Sequence, residues 1–194
     1  MTGRRSGIAI TVMIVQLMVA GCGLMLGAEL RVDPASPHPN IDLLPVQTPH
    51  KLELDPSIMD AFVVPKTDAV NEVPVSGWRS TLMRGFTSGF TGGSSNRSLR
   101  LRDAQLSFSP VALGPGGTAA VRATIRFKAS VLDESGEEIE RESGEVSARD
   151  AATRPTPEAI TANASQAVEA MYEAIAAKIV EETSAQPSNG GRIR

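Results

Sequence analysis

The sequence predicts an α+β fold in which a small antiparallel sheet carries two helices on one face, as a two-layer sandwich. Three observations predict it. Residues 119–131 are apolar at every second position, which is the period of a strand with one buried face. Residues 75–90 and 157–179 repeat apolar residues every three to four positions, which is the helical period. The length of 194 residues suits one domain of ordinary size.

Charge and cysteine content exclude several protein classes. The chain has 19 Lys+Arg and 22 Asp+Glu and a net charge of -3, so it lacks the basic excess that nucleic-acid binding requires. We therefore expect no nucleic-acid partner. The chain has 1 cysteine, which cannot form a disulfide within the chain, so a disulfide scaffold is excluded.

Two short strands, or one bent strand, and a helix open the predicted domain. Residues 51–55 alternate polar and apolar, and residues 61–64 form a short apolar run. Residues 75–90 then predict a helix with Ser76 as its N-cap. We expect the glycines at 85 and 89 to let this helix lie close to the sheet. The apolar stripe of this helix comprises Trp78, Leu82, Phe86 and Phe90.

A hairpin or meander follows. Residues 99–108 read as a strand, and the slip of its pattern between Leu101 and Ala104 predicts a β-bulge. The strand at 119–131 comes next. After a polar turn, residues 138–148 return as a polar strand, which we expect at an edge of the sheet.

The second helix carries strong start signals. Thr156 is the expected N-cap, Pro157 suits the first helical position, and Glu158 favours the positive end of the helix dipole. Its apolar stripe needs a partner surface, which the apolar face of the sheet supplies. The stripe comprises Ile160, Ala164, Val168, Met171, Ile175 and Ile179.

Four segments organise the predicted chain. Residues 1–21 read as a signal peptide, and residues 22–49 as a proline-rich tether. Residues 50–182 form the α+β domain. Residues 183–194 form a tail rich in Gly, Asn and Pro that we expect to be disordered.

The leader has the parts of an export signal in their usual order. Arg4 and Arg5 precede an apolar run at 7–19, and no acidic residue appears before position 29. The leader ends in Val19, Ala20, Gly21 and Cys22, which together resemble the lipobox of bacterial lipoproteins. The resemblance implies that Cys22 receives a diacylglycerol, that cleavage follows Gly21, and that the new amino group is acylated. Such a lipid anchors the chain to a membrane without a spanning helix.

The position of the anchor leaves alternatives open. Apolar residues continue to Ala28, so residues 7–28 reach the length of an uncleaved transmembrane helix, which would keep the chain in the inner membrane. Cleavage by the general signal peptidase near Ala28 is another alternative. Residue 23 is Gly, whereas in enterobacterial lipoproteins an Asp there retains the protein at the inner membrane. The sequence therefore favours a lipid anchor in the outer membrane, with the domain facing the periplasm.

The element order together with the lipobox is similar to that of small envelope lipoproteins of the ABC-transport auxiliary and lipopolysaccharide-assembly kind. Residues 75–82, with Gly-Phe pairs at 85–86 and 89–90, resemble the first helix of that group. The resemblance implies a short sheet packed by two helices and an accessory role in envelope transport or assembly. It supplies no catalytic residue, and it makes an envelope protein the expected partner.

The residue pattern predicts no catalytic, metal or cofactor site. His38 and His50 lie in or beside the tether, and no zinc-binding or nucleophile motif occurs in the sequence. We therefore expect a non-catalytic protein. An alternative is a small-molecule or lipid-binding protein, whose ligand or partner would contact Trp78 and Arg79 in a cleft between the first helix and the sheet. A hydrolase that uses His50 is a third hypothesis.

Overall fold

The computed structural model describes residues 30–31, 43, 47–68, 70–90, 95–112, 120–152 and 154–185. In these residues the chain forms two sheets and two helices, an α+β fold as the sequence predicts. The strands are β1 (Leu30–Arg31), β2 (Lys51–Leu54), β3 (Phe62–Val64), β4 (Val73–Ser76), β5 (Ser98–Val111), β6 (Ala120–Leu132) and β7 (Glu138–Ser147). The helices are α1 (Trp78–Gly89) and α2 (Pro157–Ala185).

The larger sheet has the strand order β2-β5-β6-β7. Strands β5, β6 and β7 form the antiparallel meander that the sequence predicts, with β7 at an edge. Strand β2 instead pairs parallel with β5, so the sheet is mixed rather than wholly antiparallel. The reason is the long connection between them, because β3, β4 and α1 carry the chain back to the same end of the sheet.

The side chains of strand β6 alternate between the inner, apolar face and the outer, polar face of the larger sheet. Its ladder with β5 shifts register between Leu101 and Asp103, which confirms the predicted bulge. The inner side chains of β6 are at most 3% exposed and belong to a core shared with both helices. Full burial of each large apolar side chain stabilises the fold by about 1.5–3 kcal/mol. These inner residues are Val121, Ala123, Ile125, Phe127, Ala129 and Val131.

A second, three-stranded sheet has the order β1-β4-β3 and corrects two expectations. The sequence predicts a helix from residue 75, whereas Val75 belongs to β4, where it is 2% exposed and pairs with Phe62. Strand β1 pairs parallel with β4, although the sequence predicts a tether without elements over residues 22–49. Within that same range, Gln47 and Thr48 are buried. Some of the proline-rich segment therefore packs with the domain.

Helix α1 crosses α2 at a glycine. A Cβ atom on Gly85 would lie 2.7 Å from Cγ1 of Val168 and 2.9 Å from Cε2 of Tyr172, both on α2. The glycine thus allows a close approach between the two helices, not between a helix and the sheet as the sequence suggests. The Tyr172 hydroxyl donates to the Leu82 carbonyl of α1 at 2.8 Å across this contact.

Helix α2 begins as the sequence predicts. The Thr156 hydroxyl accepts from the Ala159 N–H at 3.3 Å, and Pro157 is the first helical residue. The expected stripe is buried, and the helix continues to Ala185. The stripe residues Ile160, Ala164, Val168, Met171, Ile175 and Ile179 are all at most 5% exposed.

A buried amide on α2 completes the hydrogen bonding of the sheet. Strand β7 ends at Ser147, and after a hydrogen bond from the Ala148 N–H to the Ala123 carbonyl at 2.9 Å the chain rejoins β6 at the isolated bridge between Val121 and Ala152. In the gap, Asn163 Oδ1 accepts from the Ala123 N–H at 2.5 Å and its Nδ2 donates to the Asp150 carbonyl at 2.6 Å. Asn163 therefore satisfies backbone groups that a regular ladder would have paired.

Candidate functional site

The predicted anchor residues lie outside the described part of the chain. These are Val19, Ala20, Gly21 and Cys22. The alternative membrane-spanning segment at 7–28 lies outside it as well. Of the residues that the structure describes, no helix is both long enough and apolar enough to cross a membrane.

Trp78, one of the two residues expected to contact a ligand or partner, lies in the core. Its side chain is 1% exposed, and its Nε1–H donates to the Ala104 carbonyl of β5 at 3.0 Å. The Phe62 ring of β3 meets it edge-on with centroids 5.9 Å apart. The indole therefore joins α1 to both sheets and offers no surface to a ligand in this structure.

Arg79, the other expected contact residue, holds a loop in place. Its guanidinium donates to the carbonyls of Asp55 and Ile58 at 2.9 Å each and to the carbonyl of Leu54 at 3.3 Å. These carbonyls end β2 and begin the connection to β3. Because one planar group satisfies three acceptors, Arg79 fixes the path of this loop against the first turn of α1.

The start of α1 takes its cap from a distant residue that the sequence does not reveal. Gly77 at the N-cap position has φ 67°, and no side chain there caps the helix, so Ser76 is not the cap that the sequence predicts. Instead the Asp60 carboxylate accepts from the Arg79 N–H at 3.0 Å, and the Asp60 carbonyl accepts from the Trp78 N–H at 3.0 Å. A carboxylate at this end also interacts favourably with the helix dipole.

Among the residues whose positions are described, no open cleft separates α1 from the sheet where the sequence suggests one. Trp78, Leu82 and Phe86 occupy that interval and are at most 6% exposed. The neighbouring surface has an apolar part, since Met59, which follows the loop held by Arg79, is 64% exposed and Met83 of α1 is 42% exposed. Met83 stands four residues after Arg79, on the same side of the helix.

The outer face of the larger sheet carries several charged side chains that form ion pairs between neighbouring strands. Arg126 of β6 pairs with Glu145 of β7 at 3.1 Å, and Arg100 of β5 pairs with Glu53 of β2 at 2.9 Å. Hydrogen bonds from Arg100 and then Lys51 hold the pKa of Glu53 below its usual value. Such exposed pairs contribute little to stability, about 0–1 kcal/mol each, so their main effect is to fix the charge pattern of the face.

The chemistry-bearing side chains of the described residues are dispersed. His50 Nδ1 is 2.7 Å from the Arg97 carbonyl oxygen at the surface. Across the residues with described positions, no group of three or more His, Cys, Asp or Glu side chains could hold a metal ion. Tyr172 is fully buried, and burial raises its pKa above the usual value of a phenol.

Comparisons with known proteins yield structural similarity and no family. No family model and no curated protein matches the chain. A Xanthomonas campestris protein of the family DUF330 is 14% identical, with 70% of this chain and 88% of that chain covered and a TM-score of 0.42. Rare lipoprotein B from Shewanella oneidensis is 18% identical, with 72% and 97% covered and a TM-score of 0.34. A minor lipoprotein from Acinetobacter baumannii is 18% identical, with 70% and 90% covered and a TM-score of 0.33. At these identities and TM-scores the comparisons do not assign the chain to a family.

Proposed function

We propose that the chain is a bacterial lipoprotein, anchored through a lipid on Cys22, whose α+β domain is a non-catalytic accessory or binding component in envelope transport or assembly. One observation carries the proposal. The cysteine stands directly after Val19, Ala20 and Gly21, at the end of a leader with a basic start and an apolar run. Each of these features of the leader is typical of a lipoprotein signal and therefore supports a lipid anchor.

The geometry of the domain is compatible with a binding role. The inner face of the larger sheet is covered by the helices, whereas its outer face carries exposed charges on β2, β5, β6 and β7. A rigid sheet with an exposed charged face can present a fixed pattern of charge to a partner. We propose the outer membrane as the location, with the domain facing the periplasm, since Gly23 and not Asp follows the cysteine.

The anchor is tested by the mass of the mature N-terminal peptide. Membranes are separated by density, and the peptide from the wild type is compared with that from Cys22→Ala. We expect a diacylglyceryl-modified Cys22 at the new N-terminus in the outer-membrane fraction and its loss in the variant. An unmodified chain that begins at Met1 would overturn the lipid anchor in favour of a transmembrane segment. A chain that begins near Glu29 would overturn it in favour of a released protein.

The accessory role is tested by site-specific crosslinking of the full chain in cells. A photoreactive residue at Ser143, on the outer face of β7, is compared with the same residue at Ala162, exposed on α2. We expect a crosslinked species of one defined mass from position 143 and not from position 162. Monomer alone from both positions, under several growth conditions, would contradict a binding role for the sheet face.

A further inference from the structure

The small sheet, formed by β1, β4 and β3, has an apolar outer face. On its inner face Val64, Val73 and Val75 belong to the core and are at most 8% exposed. Val63 of β3 and Pro74 of β4 stand between these residues and pair with each other. Because successive side chains of a strand point to opposite faces, Val63 and Pro74 lie on the outer face. Both are exposed, Val63 by 55%.

Apolar residues on both faces are typical of a strand that is covered on both sides. Residues 61–65, which comprise β3 and one residue at each end, contain no polar side chain. Ala61 and Pro65 are exposed together with Val63. The larger sheet differs, because its outer face carries charged pairs. In the described part of the chain the small sheet thus exposes a second apolar face, and exposed apolar surface of this kind marks a contact with a protein or a membrane.

The chain enters the domain at the end of the small sheet that carries this face. Strand β1 pairs parallel with β4, so both strands begin at the same end of the sheet. Val73, the first residue of β4, pairs there with Val64, the last residue of β3. Residues 23–29 alone separate Cys22 from Leu30, a path of at most about 29 Å when fully extended.

This path is shorter than the domain is long. Helix α2 has 29 residues and is therefore about 43 Å long. A lipid on Cys22 keeps the entry end of the small sheet close to the membrane, so a contact between the two is effectively intramolecular, and weak apolar contacts are sufficient to maintain it. Strand β1 lies beside α2, which covers the inner face of the larger sheet. The charged outer face of the larger sheet lies on the other side of the core.

We propose that the outer face of the small sheet, with Val63 and Pro74 at its centre, docks on the phospholipid bilayer that holds Cys22. This orientation of the domain rests on the lipid anchor proposed above. The apolar side chains enter the boundary between headgroups and acyl chains, where their exposed surface is removed from water. Docking in this way leaves the charged outer face of the larger sheet free for a partner.

The test uses the full lipidated chain in vesicles of phosphatidylethanolamine and phosphatidylglycerol, after the mass of the N-terminal peptide has verified the lipid. A fluorescent dye is attached through Glu72→Cys, beside the outer face of the small sheet, or through Lys128→Cys, on the outer face of the larger sheet. Both positions are exposed. Lipids that carry a spin label near the headgroup quench a dye at the bilayer surface. We expect quenching at position 72 and little at position 128.

Val63→Glu and Ile139→Glu form a matched pair of variants. Each replaces an exposed aliphatic side chain by a negative charge, but Ile139, which is 46% exposed, lies on β7 of the larger sheet. In chains labelled at position 72, Val63→Glu should lower the ratio of docked to undocked domain by at least about fivefold, because it removes apolar burial and adds a charge at the contact. Ile139→Glu should change that ratio by less than about twofold. Circular dichroism verifies that each variant is folded.

The possible outcomes separate the docking from the anchor. Absent quenching, equal quenching at positions 72 and 128, or equal effects of the two glutamate variants would overturn the docking and leave the anchor intact. A disulfide between two copies of the Glu72→Cys chain, without quenching by the spin-labelled lipid, would assign the face to a dimer and overturn the docking as well. An N-terminal peptide without lipid would overturn both, since the place of the membrane would no longer follow from Cys22.

Discussion

The two helices of this chain begin in different ways. Helix α2 starts with its own residues, since the Thr156 hydroxyl caps it and Pro157 and Glu158 follow in the positions that favour a helix start. Helix α1 starts at Gly77, which has no side chain, and takes its cap from Asp60. The start of α2 is encoded locally, whereas the start of α1 depends on the loop that contacts it.

The first turn of α1 extends this dependence. Trp78 donates to Ala104 of β5, and Arg79 donates to three carbonyls between residues 54 and 58. Each of these partners is more than 20 residues away in the sequence, except for the Asp60 cap at 19. The difference teaches that a strong apolar stripe can predict that a helix exists, while its first residue is set by tertiary contacts.

The largest expected effect is that of Trp78→Ala. Loss of a fully buried indole removes the contact of α1 with both sheets and should lower the free energy of unfolding by about 3–5 kcal/mol. Urea unfolding followed by circular dichroism measures it. Met83→Ala is the control on the same helix, because Met83 is 42% exposed, and it should change stability by less than about 0.5 kcal/mol. Similar losses in both variants would contradict a central role for the indole.

Asn163→Ala tests a contact of α2 with backbone groups that lie far from Asn163 in the sequence. The change leaves the Ala123 N–H and the Asp150 carbonyl without their partner, and should lower the free energy of unfolding by about 1–3 kcal/mol. Gln166→Ala removes a longer contact one turn along the helix and should cost less than about 0.5 kcal/mol. Urea unfolding followed by the fluorescence of Trp78 compares them. Equal effects would mean that the buried amide is not needed where the ladder is interrupted.

The meander and α2 could be predicted from the sequence because their signals are local and periodic. The bulge at Leu101 and the cap at Thr156 follow from residue patterns within a few positions. The parallel pairing of β2 with β5 could not be predicted in this way. It depends on the path of the intervening chain, and the alternation of residues 51–54 is the same for either strand direction.

The role of the predicted contact residues could not be determined from the sequence. The stripe that identifies Trp78 as a helix residue is equally compatible with a core position and with a ligand-contact position, and the structure places it in the core. The sequence suggests Arg79 as a contact for a ligand or partner, whereas its guanidinium donates to backbone carbonyls. Asp60 carries no sequence signal as a cap, because its helix begins 18 residues later.

Asp60→Ala and Thr156→Ala compare the two helix starts directly. Each removes one capping acceptor, so each should lower the free energy of unfolding by about 0.5–2 kcal/mol. Asp60→Asn keeps an acceptor and should lose about 0.3–1 kcal/mol through the helix dipole alone. Hydrogen exchange of backbone amides distinguishes the sites. Exchange should accelerate at the start of α1 in the Asp60 variant and at the start of α2 in the Thr156 variant. Acceleration at α2 in both variants would refute the remote cap.

The smallest expected effect lies where the two helices meet. Tyr172→Phe removes one hydrogen bond to Leu82 and should cost about 0.5–1.5 kcal/mol at neutral pH. Burial raises the pKa of Tyr172 in the folded state above its unfolded value, so the folded state disfavours the phenolate. The stability that the neutral phenol contributes is therefore complete below about pH 10 and declines as the pH rises past the unfolded pKa.

The composition of the chain makes this high-pH loss directly measurable. Tyr172 is the 1 tyrosine of the sequence, so absorbance at the phenolate wavelength reports this residue without interference from another. We expect no phenolate signal while the chain is folded, and its appearance together with unfolding as followed by Trp78 fluorescence. Tyr172→Phe should lose less stability than the wild type above about pH 10, so the stability gap between the two should narrow there. A phenolate that forms before unfolding would mean that the contact between α1 and α2 opens to water on its own. Helix α1, whose start depends on residues distant in the sequence, would then open to solvent more easily than α2, whose start is specified by its own residues.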